Sequence, residues 1–147
     1  MSANERNILE EYKIKVGSRS YVFSDVPLQV SPTGKWVLSY DKVQEMMKSV
    51  AAIILADKDQ ALTFAELEHL ANTAGMSMAK IADLIQVDRS TITKWKKSEE
   101  LIPFSDSYCL KDKFPKIIFE FEPRKDDTGE RVDFWFTKGK LPRPKAA

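Results

Sequence analysis

Hydrophobic positions follow two different periods along this chain. Residues 12–16, Tyr-Lys-Ile-Lys-Val, alternate apolar and polar, Gly17-Ser18 turns, and Tyr21-Val22-Phe23 returns. That is the signature of paired strands. Ser31-Pro32-Thr33-Gly34 makes a second turn, between Leu28-Gln29-Val30 and Trp36-Val37-Leu38. From Asp41 the period becomes helical: Val43, Met46, Met47, Val50, Ile53 and Ile54 share one face, which predicts an amphipathic helix over 41–56. Thr63 and Glu66 form a T-x-x-E capping box. The helix they open buries Phe64, Leu67, Leu70 and Ala71 and stops at Gly75. Ser77 caps the next. Three helices are therefore expected in succession, at 64–74, 78–85 and 89–98. Residues 104–115 show no clear period, while 116–122 and 131–137 alternate around Asp126-Asp127-Thr128-Gly129 and predict a C-terminal β-hairpin. A mobile tail is expected beyond it, at 140–147. The expected fold class is α+β: a β-rich region at 1–40, a helical domain at 41–103 with a tri-helical core, and a hairpin with a basic tail at 104–147.

The stretch 78–97, MAKIADLIQVDRSTITKWKK, carries the most chemistry. The spacing of Ala82, Ile92 and Trp95 lets all three face inward while two helices cross at roughly 90–120°. Gln86 starts the turn with Val87 packed under it, and Asp88 is a good N-cap residue. Arg89, Ser90, Thr91, Thr93, Lys94, Lys96 and Lys97 are left facing out. Donors and cations of this kind hydrogen-bond base edges and neutralise phosphates. Arg89, Ser90, Thr93 and Lys94 are assigned to bases. Thr91, Lys96 and Lys97 are assigned to phosphates, with Ser77 and Lys80 from the start of the preceding helix. A solvated helix end explains Lys96 and Lys97 without DNA. It does not explain Arg89, which stands at the end where the helix dipole disfavours a cation.

Composition narrows the remainder. The chain has 147 residues and a net charge of +1, so its total charge does not announce a nucleic-acid partner. Distribution is more telling. The tail holds Lys138, Lys140, Arg143 and Lys145 with no acid among them, and forms either a basic arm for DNA or a solubilising end. No apolar run approaches the ~18 residues of a membrane span, and the first residues do not resemble a signal peptide. One cysteine, Cys109, fits a reducing cytoplasm. His69, the single histidine, is expected at the surface or half-buried. No Gly-rich phosphate loop, nucleophile motif or metal-ligand spacing appears, so no catalytic residue, metal or cofactor is expected, and the chain is not read as an enzyme.

Residues 64–103 resemble the helix-turn-helix of the Xre/Cro-repressor superfamily, through Ser77, Ala82, Leu84, Val87, Ser90, Thr91, Ile92 and Trp95. That superfamily continues with two further helices, where this chain shows the hairpin pattern of a wing or dimerisation ribbon. Residues 16–34, VGSRSYVFSDVPLQVSPTG, are similar to the start of MqsA/YgiT-type antitoxins, with the shared pattern G-R-x-Y-x-x-x-D-V-P-x-x-V-x-P. Ser31 and Gly34 stand where that family has its two knuckle cysteines. One Cys and one His cannot build a tetrahedral cysteine-type zinc site. The resemblances imply a sequence-specific DNA-binding transcriptional regulator, an autorepressor that binds operator DNA as a homodimer. The alternative they imply is an antitoxin-type module that covers a toxin.

Overall fold

In the computed structural model, residues 7–57, 59–98, 101–119 and 141–146 are described. The chain opens with a β-hairpin, β1 (Ile8–Val16) and β2 (Arg19–Pro27), paired antiparallel from Ile8 opposite Pro27 to Val16 opposite Arg19. The turn needs its glycine: Gly17 has φ +62°, and a Cβ there would lie 3.2 Å from the Ala65 Cβ. A side chain would thus push the hairpin off the helix beneath it. A two-residue ribbon, β3 (Gln29–Val30) with β4 (Trp36–Val37), follows.

Five helices come next among the described residues: α1 (Tyr40–Ala56), α2 (Phe64–Ala74), α3 (Met78–Ile85), α4 (Arg89–Ser98) and α5 (Phe104–Ile118). Their starts are set by side chains in extended backbone. Ser39 accepts the Lys42 N–H, and Thr63 accepts the Glu66 N–H while the Glu66 carboxylate accepts the Thr63 N–H. Each such cap satisfies helix N–H groups that have no partner of their own. The sheet rests on α1 and α2, and α5 packs on α1, α2 and α3. One contiguous core runs from Val16, Tyr21 and Phe23 of the hairpin to Leu110, Phe114 and Ile118 of α5. No helix among the described residues is long and apolar enough to cross a membrane.

The expected fold class is corrected. Among the described residues the architecture is an N-terminal β-hairpin followed by five helices, the fifth of which, α5, occupies 104–118, and no C-terminal hairpin is shown. Residues 116–118, read as the start of a strand, form the last turn of α5. The buried set of α5 is Ser107, Leu110, Lys111, Phe114, Pro115 and Ile118, a regular helical stripe. Two of its members are polar and one is proline, while Phe104 and Tyr108 are exposed. That inversion of polarity hides the period. The second predicted strand, 131–137, lies outside the described residues. The tail differs as well: β5 (Lys145–Ala146) pairs with β2, giving the sheet order β1-β2-β5.

Candidate nucleic-acid interface

Two left-handed residues shape the helix-turn-helix. Gly75 (φ 69°) ends α2, its N–H and that of Met76 returning to the Asn72 and Ala71 carbonyls. Gln86 (φ 57°, ψ 48°) ends α3 in the same way: its N–H reaches the Asp83 carbonyl and the Val87 N–H reaches Ala82 at 3.0 Å. This is a Schellman closure. It reverses the chain within three residues, so that the Asp88 carbonyl can accept the Thr91 N–H at 3.0 Å and start α4.

Ala82, Ile92 and Trp95 are buried, as their spacing predicts, and Ile81 is buried with them; α3 and α4 pack against each other. With Ile92 and Trp95 pointing in, the rest of α4 is placed by helix geometry at about 100° per residue. Ser90, Thr93, Lys94 and Lys97 centre on the outward face. Arg89 and Lys96 flank one side of it, and Thr91, half-buried, borders the other. Arg89, Ser90, Thr93, Lys94, Lys96 and Lys97 are all exposed. Lys97 therefore shares a face with Ser90 and Thr93, one end to the other over roughly 10 Å. The Thr93 hydroxyl donates to the Arg89 carbonyl at 3.1 Å, one turn back along the exposed side of the helix.

Positive charge is in excess along these two helices. Residues 77–98 hold five cations, Lys80, Arg89, Lys94, Lys96 and Lys97, against Asp83 and Asp88. Among the described residues no ion pair engages Arg89 or the lysines of α4. Ser77 is committed as a cap, accepting the Lys80 N–H at 3.2 Å, and Lys80 is exposed one turn into α3. Arg143 and Lys145 of the basic tail lie at the β2 edge of the sheet, held there by β5. Lys138 and Lys140 lie outside the described residues.

The frame behind α4 includes residues that periodicity did not reveal. Leu62 donates its N–H to the Ser107 hydroxyl (2.9 Å), that hydroxyl donates to the Ile102 carbonyl (3.1 Å), and the Ile102 N–H returns to the Leu62 carbonyl (2.8 Å). The loop entering α2 and the segment leaving α4 are thereby tied to α5. Lys111 is buried and donates to the Asp57 and Gln60 carbonyls. It supplies the positive charge that the C-terminal turn of α1 lacks. Burial lowers its pKa, opposed by Asp57, Glu66 and Asp59. Beside it a cavity of about 310 Å³ is lined by Gly17, Arg19, Tyr21, Ile54 and Glu66. Among the described residues no group of three His, Cys, Asp or Glu side chains is placed to hold a metal ion.

No family model, no curated protein and no solved structure matches this chain.

Proposed function

We propose that the chain is a non-enzymatic, sequence-specific DNA-binding transcriptional regulator that binds operator DNA as a homodimer and occludes a promoter, its own being the first to test. One observation carries this reading. The outward face of α4 is made of hydroxyls and cations with no acid in the helix, and buried Ile92 and Trp95 hold it rigidly against α3. Such a helix fits the major groove, where Arg or Lys takes guanine and a threonine methyl meets the thymine methyl.

Fluorescence anisotropy on DNA upstream of the gene, against scrambled DNA over a salt series, tests it. Binding on the order of 10³-fold tighter to the upstream DNA, with a steep salt slope, is the expected result. Equal, weak binding to both DNAs would reduce the motif to a scaffold. Within that assay Arg89→Ala should weaken the cognate site selectively, by roughly 1–3 kcal/mol. Lys97→Ala should weaken every sequence and flatten the salt slope by about one unit. Equal losses on cognate and random DNA for both variants would refute this division of roles.

A second reading, an antitoxin-type module that binds a protein, is favoured by a different surface. At the start of α5 Phe104 and Tyr108 stack with ring centroids 6.2 Å apart, and both are exposed beside exposed Leu101. A toxin gene beside this one, and a complex between the two products, would favour that reading.

A further inference from the structure

The cavity beside Lys111 is lined by four charged side chains that do not pair with one another. It measures about 310 Å³ and opens between the β1–β2 turn, the C-terminal end of α1, the start of α2 and α5. Its walls consist of described residues alone. Arg19, Asp57, Glu66 and Lys111 line it, and among the described residues none of the four is in an ion pair. Lys111 is already held by the Asp57 and Gln60 carbonyls. Each carboxylate has one oxygen committed to the backbone: Glu66 Oε1 accepts the Thr63 N–H at 2.9 Å, and Asp57 Oδ1 accepts the Asp59 N–H at 3.2 Å. Among the described residues no donor reaches their second oxygens, and Arg19 has neither a hydrogen bond nor an ion pair. Val16, Ile54 and Ala65 give the cavity an apolar wall.

We propose that this cavity binds a free α-amino acid with a small aliphatic side chain. Its carboxylate lies on the Arg19 guanidinium, its ammonium on the uncommitted Glu66 oxygen, and its side chain against Val16, Ile54 and Ala65. Charge selects the class. The lining charges cancel, two cations against two acids, so a zwitterion keeps the balance while meeting one unpaired group of each sign. A plain carboxylate or amine leaves one charge uncompensated in a partly enclosed site, which is costly. A phosphate monoester brings about −1.5 to −2 and upsets the balance further. Size selects the side chain. At about 30 Å³ per water, the cavity takes on the order of ten non-hydrogen atoms, about as many as valine or leucine has. A guanidinium holds a carboxylate by two parallel hydrogen bonds, which suits Arg19 to the anchoring role. The site stands whether or not α4 reads DNA.

Isothermal titration calorimetry of the full chain with L-alanine, L-valine and L-leucine is the test. At least one of the three is expected to bind with a Kd below about 1 mM. The amine-free and carboxylate-free analogues of the tightest binder (for leucine, 4-methylpentanoate and 3-methylbutylamine) should each bind at least about tenfold more weakly. Arg19→Gln and Glu66→Gln should each weaken the tightest binder at least about tenfold, since each removes one charged partner. Arg19 is exposed, and glutamine at position 66 keeps the capping box, so unchanged urea unfolding separates lost binding from lost folding. No saturable heat from any of the three amino acids up to about 10 mM overturns the proposal. So does binding that neither variant weakens, and so does an amine-free analogue that binds as tightly as its amino acid.

Discussion

His69 lies on α2 with Nε2 2.9 Å from the Met47 carbonyl of α1, which the neutral ring satisfies as an N–H donor. Only 8% of the residue is exposed, so it is buried, further in than the surface or half-buried position expected of it. Burial lowers its pKa below the usual 6.5, and the Met47 carbonyl opposes that shift in part. The direction of linkage follows. As pH falls through 6.5 the unfolded chain takes up the proton first, and the folded chain resists until its lower pKa is reached. Stability held above 6.5 is lost below it. The urea midpoint of the wild-type chain should therefore drop between about pH 7.5 and about pH 5.5, and that of His69→Gln should drop less. Equal drops in the two proteins would remove His69 from the acid response. The caps are the opposite case. Thr63, Ser77 and Gly75 act where their local sequence placed them, because a cap satisfies neighbours within one turn.

The turn between α3 and α4 is the element on which the proposed interface depends. Gln86 holds a left-handed conformation that costs a residue with a Cβ roughly 1–2 kcal/mol. Gln86→Gly should therefore leave stability unchanged or raise it by up to about 1 kcal/mol, since relief of the backbone cost exceeds the extra entropy of glycine in the unfolded chain. Gln86→Ile should lower it by about 1–2 kcal/mol, because a β-branched side chain tolerates positive φ worst. Urea unfolding of the three proteins decides this, and the opposite order would mean that the side chain of Gln86 matters more than its backbone. Periodicity shows the spans of α1 to α4 because most of their buried positions are apolar at helical spacing, Ser49, His69 and Thr73 being the polar ones. It hides α5, whose stripe contains Ser107, Lys111 and Pro115. The assignment of outward residues in α4 was also open to sequence reasoning, since Ile92 and Trp95 alone set the helix's rotation.

At the level of the whole molecule, α5 is the brace that joins α1 to α2 and α3. Its Ser107 hydroxyl, fully buried, links Leu62 to Ile102. Ser107→Ala leaves the Leu62 N–H without its partner, and should cost about 1–3 kcal/mol of unfolding free energy. Calorimetry or urea unfolding reads this directly, and a loss under about 0.5 kcal/mol would show that the loop re-pairs its backbone. Local chemistry in the sequence was enough to determine where α2 to α4 and, to within one residue, α1 begin and end, the β1–β2 turn at Gly17, the inward set Ala82, Ile92 and Trp95, and the cationic face of α4. These follow from period, caps and turns, which act over a few residues. Only the tertiary structure decided that Ser107 and Lys111 are interior, that residues 104–118 are a helix and that Lys145–Ala146 joins β2. In each case the partners are distant in sequence: Lys111 reaches Asp57 and Gln60, Ser107 reaches Leu62, and β5 crosses back to Tyr21 and Val22. A polar side chain can be buried when far-off carbonyls and N–H groups satisfy it, and no local pattern records where those groups will be.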